Sequence, residues 1–144
     1  MDKIERREII LDNYQNPFHR GLVDSQDYKT GSTKSDSCID NIEMMIKMAN
    51  GNVEDAVFDG EACAICTSCT SILLKKMIGK DVGYIRDVIS NFRKMIDEED
   101  YDENLLGELL AYEDLYLQPS RKNCALLPTK TILKILDEEV NDGN

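Results

Sequence analysis

Three cysteines lie close together in the stretch GEACAICTSC, which spans residues 60–69. Cys63, Cys66 and Cys69 are spaced by three, so the stretch could bind a metal, carry out thiol redox chemistry, or begin a helix with small residues. A ferredoxin-type cluster run needs a fourth cysteine nearby and usually a following proline, and neither is present. A metal site built on this stretch must therefore take ligands from elsewhere in the chain.

Two further cysteines, Cys38 and Cys124, are candidate ligands from distant parts of the sequence. Cys38 and Asp40 form a Cys-x-Asp step before a predicted strand, and in extended chain the side chains of residues i and i+2 point the same way. Arg121 precedes Cys124 by three residues, so in a helix its guanidinium would lie one turn from the thiol and could meet a charged ligand. By spacing alone, buried and unreactive cysteines remain the commoner interpretation.

The elements that must position these residues begin with a predicted hairpin. Apolar and polar residues alternate over 42–48, the Asn-Gly step at 50–51 suits a tight turn, and residues 53–58 form the returning strand. The polar stretch 24–37 predicts a weak strand followed by an exposed loop. Cys63 then stands where a helix begins, and the free N–H groups and dipole of that end favour a thiolate.

Helical periodicity accounts for most of the remaining chain. The predicted helices cover residues 3–15, 64–79, 81–96 with Asp81 as N-cap, 104–116, and a last stretch that Pro128-Thr129 precedes. In the first helix Ile4, Ile9, Ile10 and Tyr14 fall near one face. The sum is an α+β fold, with a small antiparallel sheet of about three strands covered by helices, in a single domain over residues 1–144.

Composition restricts the class of partner. A net charge of −11 argues against nucleic acid, because phosphate recognition needs clustered Lys and Arg. No apolar run reaches the length of a membrane span, and the charged N-terminus is unlike a signal peptide, so we expect a cytoplasmic protein with no membrane partner. Five cysteines in a reducing compartment predict metal binding or thiol chemistry rather than disulfides.

Several motifs together resemble the U-type iron–sulfur scaffold family, which includes IscU, SufU and the N-terminal part of NifU. They are NYQNP near the start, Cys38-x-Asp40, GNVEDAVFDGEAC ending in Cys63, and Arg121-x-x-Cys124. The similarity runs through nearly the whole chain, and the combination is highly specific.

Within the family the chain resembles the SufU branch. The gap between Cys63 and Cys124 is long and carries an extra segment around residues 97–118. The Leu-Pro-Pro-Val-Lys motif that binds a chaperone in IscU proteins is absent. Asn123 stands before the last cysteine, where IscU proteins carry His.

The resemblance implies a SufE/IscU-like fold and a metal site of Cys38, Asp40, Cys63 and Cys124, with Arg121 as a supporting cation. SufU-type proteins hold Zn²⁺ and act as sulfurtransferases that accept sulfur from a SufS-like cysteine desulfurase. IscU-type proteins instead assemble a [2Fe–2S] cluster for transfer to apo iron–sulfur proteins or other Suf components. The first function is favoured, the second is the alternative, and a structural zinc domain for protein interaction is a third possibility.

The hypothesis for the sulfur step is that a docked desulfurase displaces one zinc ligand, and the freed thiolate attacks the terminal sulfur of the desulfurase persulfide. Resemblance to SufU favours Cys38 as the acceptor, whereas resemblance to IscU would favour Cys124.

Some positions depart from the family pattern or remain outside the predicted site. Ile39 replaces the usual Gly between the first Cys and Asp, so the loop is either extended or slightly reshaped, and a displaced Asp40 would leave the fourth position to water or a partner side chain. Cys66 and Cys69 fall where relatives tend to have Ser or Ala, and we expect them to pack against the sheet, with a backup-ligand or sulfur-relay role for Cys66 as the alternative. His19 is expected to be exposed in a loop.

Overall fold

Three antiparallel strands form the sheet that underlies the candidate site. The structure is a computed structural model that describes residues 1–34 and 40–142. The strands, β1 (Lys29–Lys34), β2 (Asn41–Ala49) and β3 (Asn52–Glu61), pair in the order β1-β2-β3. Asn50 and Gly51 join β2 to β3 with left-handed φ angles of 54° and 83°, as a two-residue hairpin turn requires. The predicted hairpin is therefore confirmed.

The described part of the chain has four α-helices. They are α1 (Lys3–Gln15), α2 (Ala64–Met77), α3 (Val82–Ile96) and α4 (Pro119–Asp142). Of these, α2 and α4 pack against the sheet, α1 packs against α2, and α3 packs against α4. Asp81 caps α3 as predicted, because its carboxylate accepts a hydrogen bond of 2.8 Å from the Tyr84 N–H. None of the helices in this part of the chain is both long and apolar enough to cross a membrane. The α+β class is confirmed.

The segment 104–116 is not the α-helix that its leucines predict. Three 3₁₀ turns occupy this region, at Glu103–Leu105, Gly107–Tyr112 and Leu115–Leu117. Every third residue is buried here, namely Leu106, Leu109, Tyr112 and Leu115. A repeat of three matches the 3.0 residues per turn of a 3₁₀-helix and not the 3.6 of an α-helix.

The last helix was predicted to begin after Pro128, and this is also wrong, because α4 begins at Pro119 and continues through Pro128. A proline at the first position of a helix loses no bond, since that N–H has no partner within the helix. Pro128 leaves the carbonyl of Cys124 without its usual i+4 donor, but both neighbours are buried in the core and hold the chain in place. The longer helix places Cys124 within α4.

Polar contacts hold α1 in place together with part of the predicted apolar face, since Ile9 and Ile10 pack against the core. Ile4 and Tyr14 are 70% and 44% exposed, contrary to that prediction, whereas Asn13 is buried. The Ser71 hydroxyl donates to the Asn13 side-chain oxygen at 2.8 Å, which fixes α1 against α2. The Arg6 guanidinium pairs with Asp114 beyond α3. The helix is therefore held while part of its apolar surface remains open.

Candidate metal centre

Asp40, Cys63 and Cys124 come together at one end of the sheet. One carboxylate oxygen and the two sulfur atoms all lie within 4.8 Å of one another. Asp40 directly precedes β2, Cys63 lies between β3 and α2, and Cys124 belongs to α4. Asp40 and Cys124 are buried and Cys63 is half-buried, so the group is set into the protein with one partly open side.

The β2–β3 pairing brings Asp40 to Cys63. Asn41 pairs with Glu61 at the end of the β2–β3 ladder. Asp40, which precedes Asn41, therefore lies beside the short segment that leads from Glu61 to Cys63. The Cys63 N–H donates to Asp40 Oδ1 at 2.7 Å, and Cys63 Sγ lies 3.6 Å from Asp40 Oδ2. This carboxylate is therefore oriented by the backbone of another candidate ligand.

Gly60, which was not among the predicted site residues, makes this approach possible. Its φ angle is 140°, and a Cβ at this position would lie 1.9 Å from the Asn41 carbonyl oxygen. Only glycine fits such a close contact with that backbone conformation. A glycine near the end of a predicted strand can mark a close approach of two backbones, and that signal could have identified Gly60.

Cys63 is the N-cap of α2. Its sulfur accepts a hydrogen bond from the Cys66 N–H at 3.5 Å. The unpaired N–H groups and the dipole at the start of a helix stabilise negative charge on a capping group. This local structure agrees with the helix start that the sequence predicts at Cys63.

Burial raises the pKa of the Cys124 thiol, and its hydrogen bonds with Asp40 and Cys63 raise that pKa further. Two thiolates and a carboxylate this close would repel one another, so a cation is the partner that offsets their charge. Sulfur donors suit Zn²⁺ or an iron–sulfur centre, and a carboxylate oxygen is also a zinc ligand. The donor set therefore fits both metals that the sequence predicts.

The other predicted site residues are Cys38 and Arg121. Cys38 and Ile39 lie outside the described residues. Arg121 is exposed on α4, and its side chain forms no hydrogen bond or ion pair within residues 1–34 and 40–142. The three-residue spacing in α4 places Arg121 one turn from Cys124, as predicted.

The other two cysteines of α2 are part of the core. Cys66 and Cys69 are fully buried, and the Cys69 thiol donates to the Ala125 carbonyl at 3.4 Å. Burial raises the pKa of both thiols. Neither sulfur belongs to the group of three ligand atoms. The predicted packing role agrees with these positions, and the auxiliary role of Cys66 stays a prediction.

His19 is exposed, as expected, although its ring is held in place. It stacks on Phe18 with a centroid distance of 3.8 Å, and its Nδ1 lies 3.1 Å from a carboxylate oxygen of Asp55. Tyr28 donates to the same carboxylate, which raises the pKa of Tyr28 to about 12. These contacts join the loop after α1 to β3.

The three candidate ligands all lie in the part of the chain that the profile of one sequence family matches. The profile of the NifU-like N terminal domain matches residues 5–125. The chain belongs to this family. The predicted resemblance is confirmed, and the match includes Asp40, Cys63 and Cys124.

The chain is similar to proteins of two kinds within this family. The zinc-dependent sulfurtransferase SufU of Bacillus subtilis is 30% identical over 134 residues, which are 92% of this chain and 90% of that protein. The iron-sulfur cluster assembly scaffold protein IscU of Thermotoga maritima is 32% identical over 134 residues, which are 93% of this chain and 94% of that protein.

Solved structures of NifU-like proteins show the same fold. A protein described as an iron-sulfur cluster assembly scaffold for the SUF system of Fervidobacterium islandicum superposes with a TM-score of 0.80 at 25% identity, covering 94% of this chain and 99% of that one. The N-terminal part of a NifU-like protein from Brucella abortus superposes with a TM-score of 0.82 at 19% identity, covering 94% and 96%. The second likeness concerns the fold alone.

Proposed function

We propose that this protein acts in iron–sulfur cluster biogenesis as a zinc-dependent acceptor of persulfide sulfur from a cysteine desulfurase. The observation that carries the proposal is the group of Asp40, Cys63 and Cys124, whose ligand atoms lie within 4.8 Å of one another in a chain of the NifU-like family. The similarity to a sulfurtransferase named as zinc-dependent supports the choice of metal.

Zinc would be held by Asp40, Cys63 and Cys124, with Cys38 as the fourth ligand. Cys38 is proposed from the family resemblance and from its position two residues before Asp40. Bound zinc would keep its cysteine ligands deprotonated near neutral pH, and therefore nucleophilic. The carboxylate is the harder donor among softer sulfur atoms, so Asp40 is a suitable point of exchange.

The sulfur step is a thiolate exchange at Cys38. Its thiolate attacks the outer sulfur of the desulfurase persulfide and forms a new S–S bond. The bond between that sulfur and the desulfurase cysteine breaks, and the desulfurase cysteine leaves as a thiolate. No external oxidant or reductant is needed, because one persulfide replaces another. Arg121, an exposed cation one turn from Cys124, would attract the anionic persulfide.

A second candidate function is that of a scaffold on which a [2Fe–2S] cluster is built for apo iron–sulfur proteins. The similarity to a protein named as an IscU scaffold favours it, and the sulfur donors suit iron as well as zinc. The segment 97–118 and Asn123 favour the sulfurtransferase instead. A closed structural zinc site is disfavoured by the oxygen donor of Asp40 and the partial exposure of Cys63.

Metal analysis separates the two candidates. Protein purified without oxygen is expected to contain about one zinc ion per chain and no acid-labile sulfide, and to stimulate its cysteine desulfurase strongly. Iron and sulfide in equal amounts, with little stimulation, would instead identify a cluster scaffold. The measurements are elemental analysis, sulfide assay and the rate of sulfide release by the desulfurase.

The acceptor is tested by Cys38→Ser. This variant is expected to receive no persulfide while it still binds the desulfurase, because a hydroxyl is not a comparable nucleophile for the S–S bond. Alkylation followed by peptide mass spectrometry locates the persulfide. Cys69→Ala serves as the control, since Cys69 is buried in the core and its sulfur is not one of the three ligand atoms. Unchanged transfer to Cys38→Ser would contradict the assignment, and a persulfide on Cys124 would identify the alternative acceptor.

A further inference from the structure

An open groove of about 390 Å³ follows α1 next to the candidate metal centre, and we call it the α1 groove. The lining residues from α1 are basic near the start of the helix, where Lys3, Arg6 and Arg7 form what we call the basic wall. They are apolar near its end, where Ile10, Leu11 and Tyr14 form the apolar wall, and Asp114 adds one carboxylate to the lining. Ala64 lines the groove and directly follows Cys63 in the sequence. The groove therefore reaches within one residue of a candidate metal ligand.

The position of the α1 groove matters for any protein that delivers sulfur to the candidate metal centre. A cysteine side chain extends only a few ångströms from its own backbone, so a donor persulfide can reach the metal centre only if the donor surface contacts the protein around it. Cys63 is the partly open member of the group, and Ala64 beside it is exposed. A sulfur donor that covers both Cys63 and Ala64 would therefore contact the α1 groove, because Ala64 lines it.

The groove also presents apolar side chains to solvent. Leu11 is 48% exposed and Tyr14 is 44% exposed, and both line the groove. Ile4, seven residues before Leu11 and so on the same side of α1, is 70% exposed but lies outside the groove lining. Exposed apolar side chains bordered by charged ones are typical of a protein interaction surface.

The charges of the groove are opposite to those of the protein as a whole. The chain has a net charge of −11, yet Lys3, Arg6 and Arg7 gather at this one wall. Arg6 is paired with Glu113 and Asp114, whereas Lys3 and Arg7 form no ion pair with any residue that the structure describes. An acidic partner would be repelled by most of the surface and attracted here.

We propose that the α1 groove receives an acidic segment with apolar side chains from the cysteine desulfurase, and so orients the desulfurase over Cys63. This inference rests on the proposed function, which supplies the partner. The apolar wall contributes burial and the two unpaired cations select acidic side chains. The α1 groove would then be a docking surface for the desulfurase that is separate from the metal ligands.

The test uses two groove variants and two controls in the full chain. Arg7→Glu reverses a charge and Leu11→Asp removes an apolar contact, whereas Lys130→Glu and Val23→Asp make the same changes at exposed positions outside the groove. Binding to the desulfurase is measured by calorimetry at several salt concentrations. We expect each groove variant to raise Kd at least tenfold and Arg7→Glu to weaken the salt dependence, while the controls stay within about twofold.

The rate of sulfur transfer as a function of desulfurase concentration distinguishes docking from chemistry. Groove variants should show a higher apparent KM, with the same maximal rate and zinc content as the wild type. Wild-type protein that neither binds the desulfurase nor accepts sulfur would overturn the proposed function and this inference with it. If the wild type does both and the groove variants match it, only the groove assignment fails. Groove variants that lose self-association in sedimentation, with desulfurase binding unchanged, would assign the groove to a second copy of the chain and overturn the proposal.

Discussion

Replacing Cys63 with alanine is expected to weaken zinc binding by at least about 100-fold. Losing a hydrogen-bond partner of a metal ligand commonly costs 10- to 100-fold in affinity, so losing a ligand atom itself should cost more. Cys63 also orients Asp40 through its N–H, but that backbone contact survives the substitution and the loss is confined to the sulfur. Competition with a chromophoric chelator measures the affinity, and Cys124→Ala should behave in the same way.

Cys69→Ala is the matched control for this experiment, because it removes the same sulfur atom from a cysteine within α2 that is outside the group of ligand atoms. It should keep the zinc affinity within a few-fold and lose about 1 kcal/mol of unfolding free energy through the small cavity that remains. Cys66→Ala tests the auxiliary role in parallel. Zinc affinity that is unchanged in Cys63→Ala, or lost equally in Cys69→Ala, would contradict the assigned ligand set.

Gly60→Ala is expected to lower the free energy of unfolding by at least about 3 kcal/mol. The added Cβ would lie 1.9 Å from the Asn41 carbonyl oxygen, and the φ angle of 140° is itself unfavourable for alanine. Either the hairpin end separates or the backbone distorts. Urea unfolding of the protein without metal measures this cost independently of zinc.

Gly51→Ala provides the comparison for that prediction. Gly51 also has a positive φ, 83°, but nothing lies within 4 Å of an added Cβ, so only the backbone preference should cost energy, about 1 kcal/mol. Asn41 follows Asp40 directly, so Gly60→Ala should also displace the carboxylate and reduce zinc affinity, which Gly51→Ala should not do. Equal unfolding free energies for the two variants would show that the contact between Gly60 and Asn41 is unimportant.

The elements with strong local signals were predictable from the sequence. The Asn-Gly step at 50–51 specifies a two-residue turn, and Asp81 specifies a helix start, because both act through contacts within a few residues. The segment 104–116 and the start of α4 were not predictable in this way. In those regions burial against the rest of the protein decides between 3₁₀ and α geometry and keeps Pro128 inside a helix.

For the candidate site, the donor types and the elements that carry them could be predicted from the sequence, and the resemblance carried by its motifs identified the family. The packing of the folded chain is what brings Asp40, Cys63 and Cys124 within 4.8 Å of one another, buries Cys66 and Cys69 in the core outside this group, and leaves a groove with basic and apolar residues along α1. The physical reason is that periodicity along a chain encodes which side of an element is buried. Distances between remote residues depend instead on how helices and strands pack, including the close backbone contact that Gly60 permits.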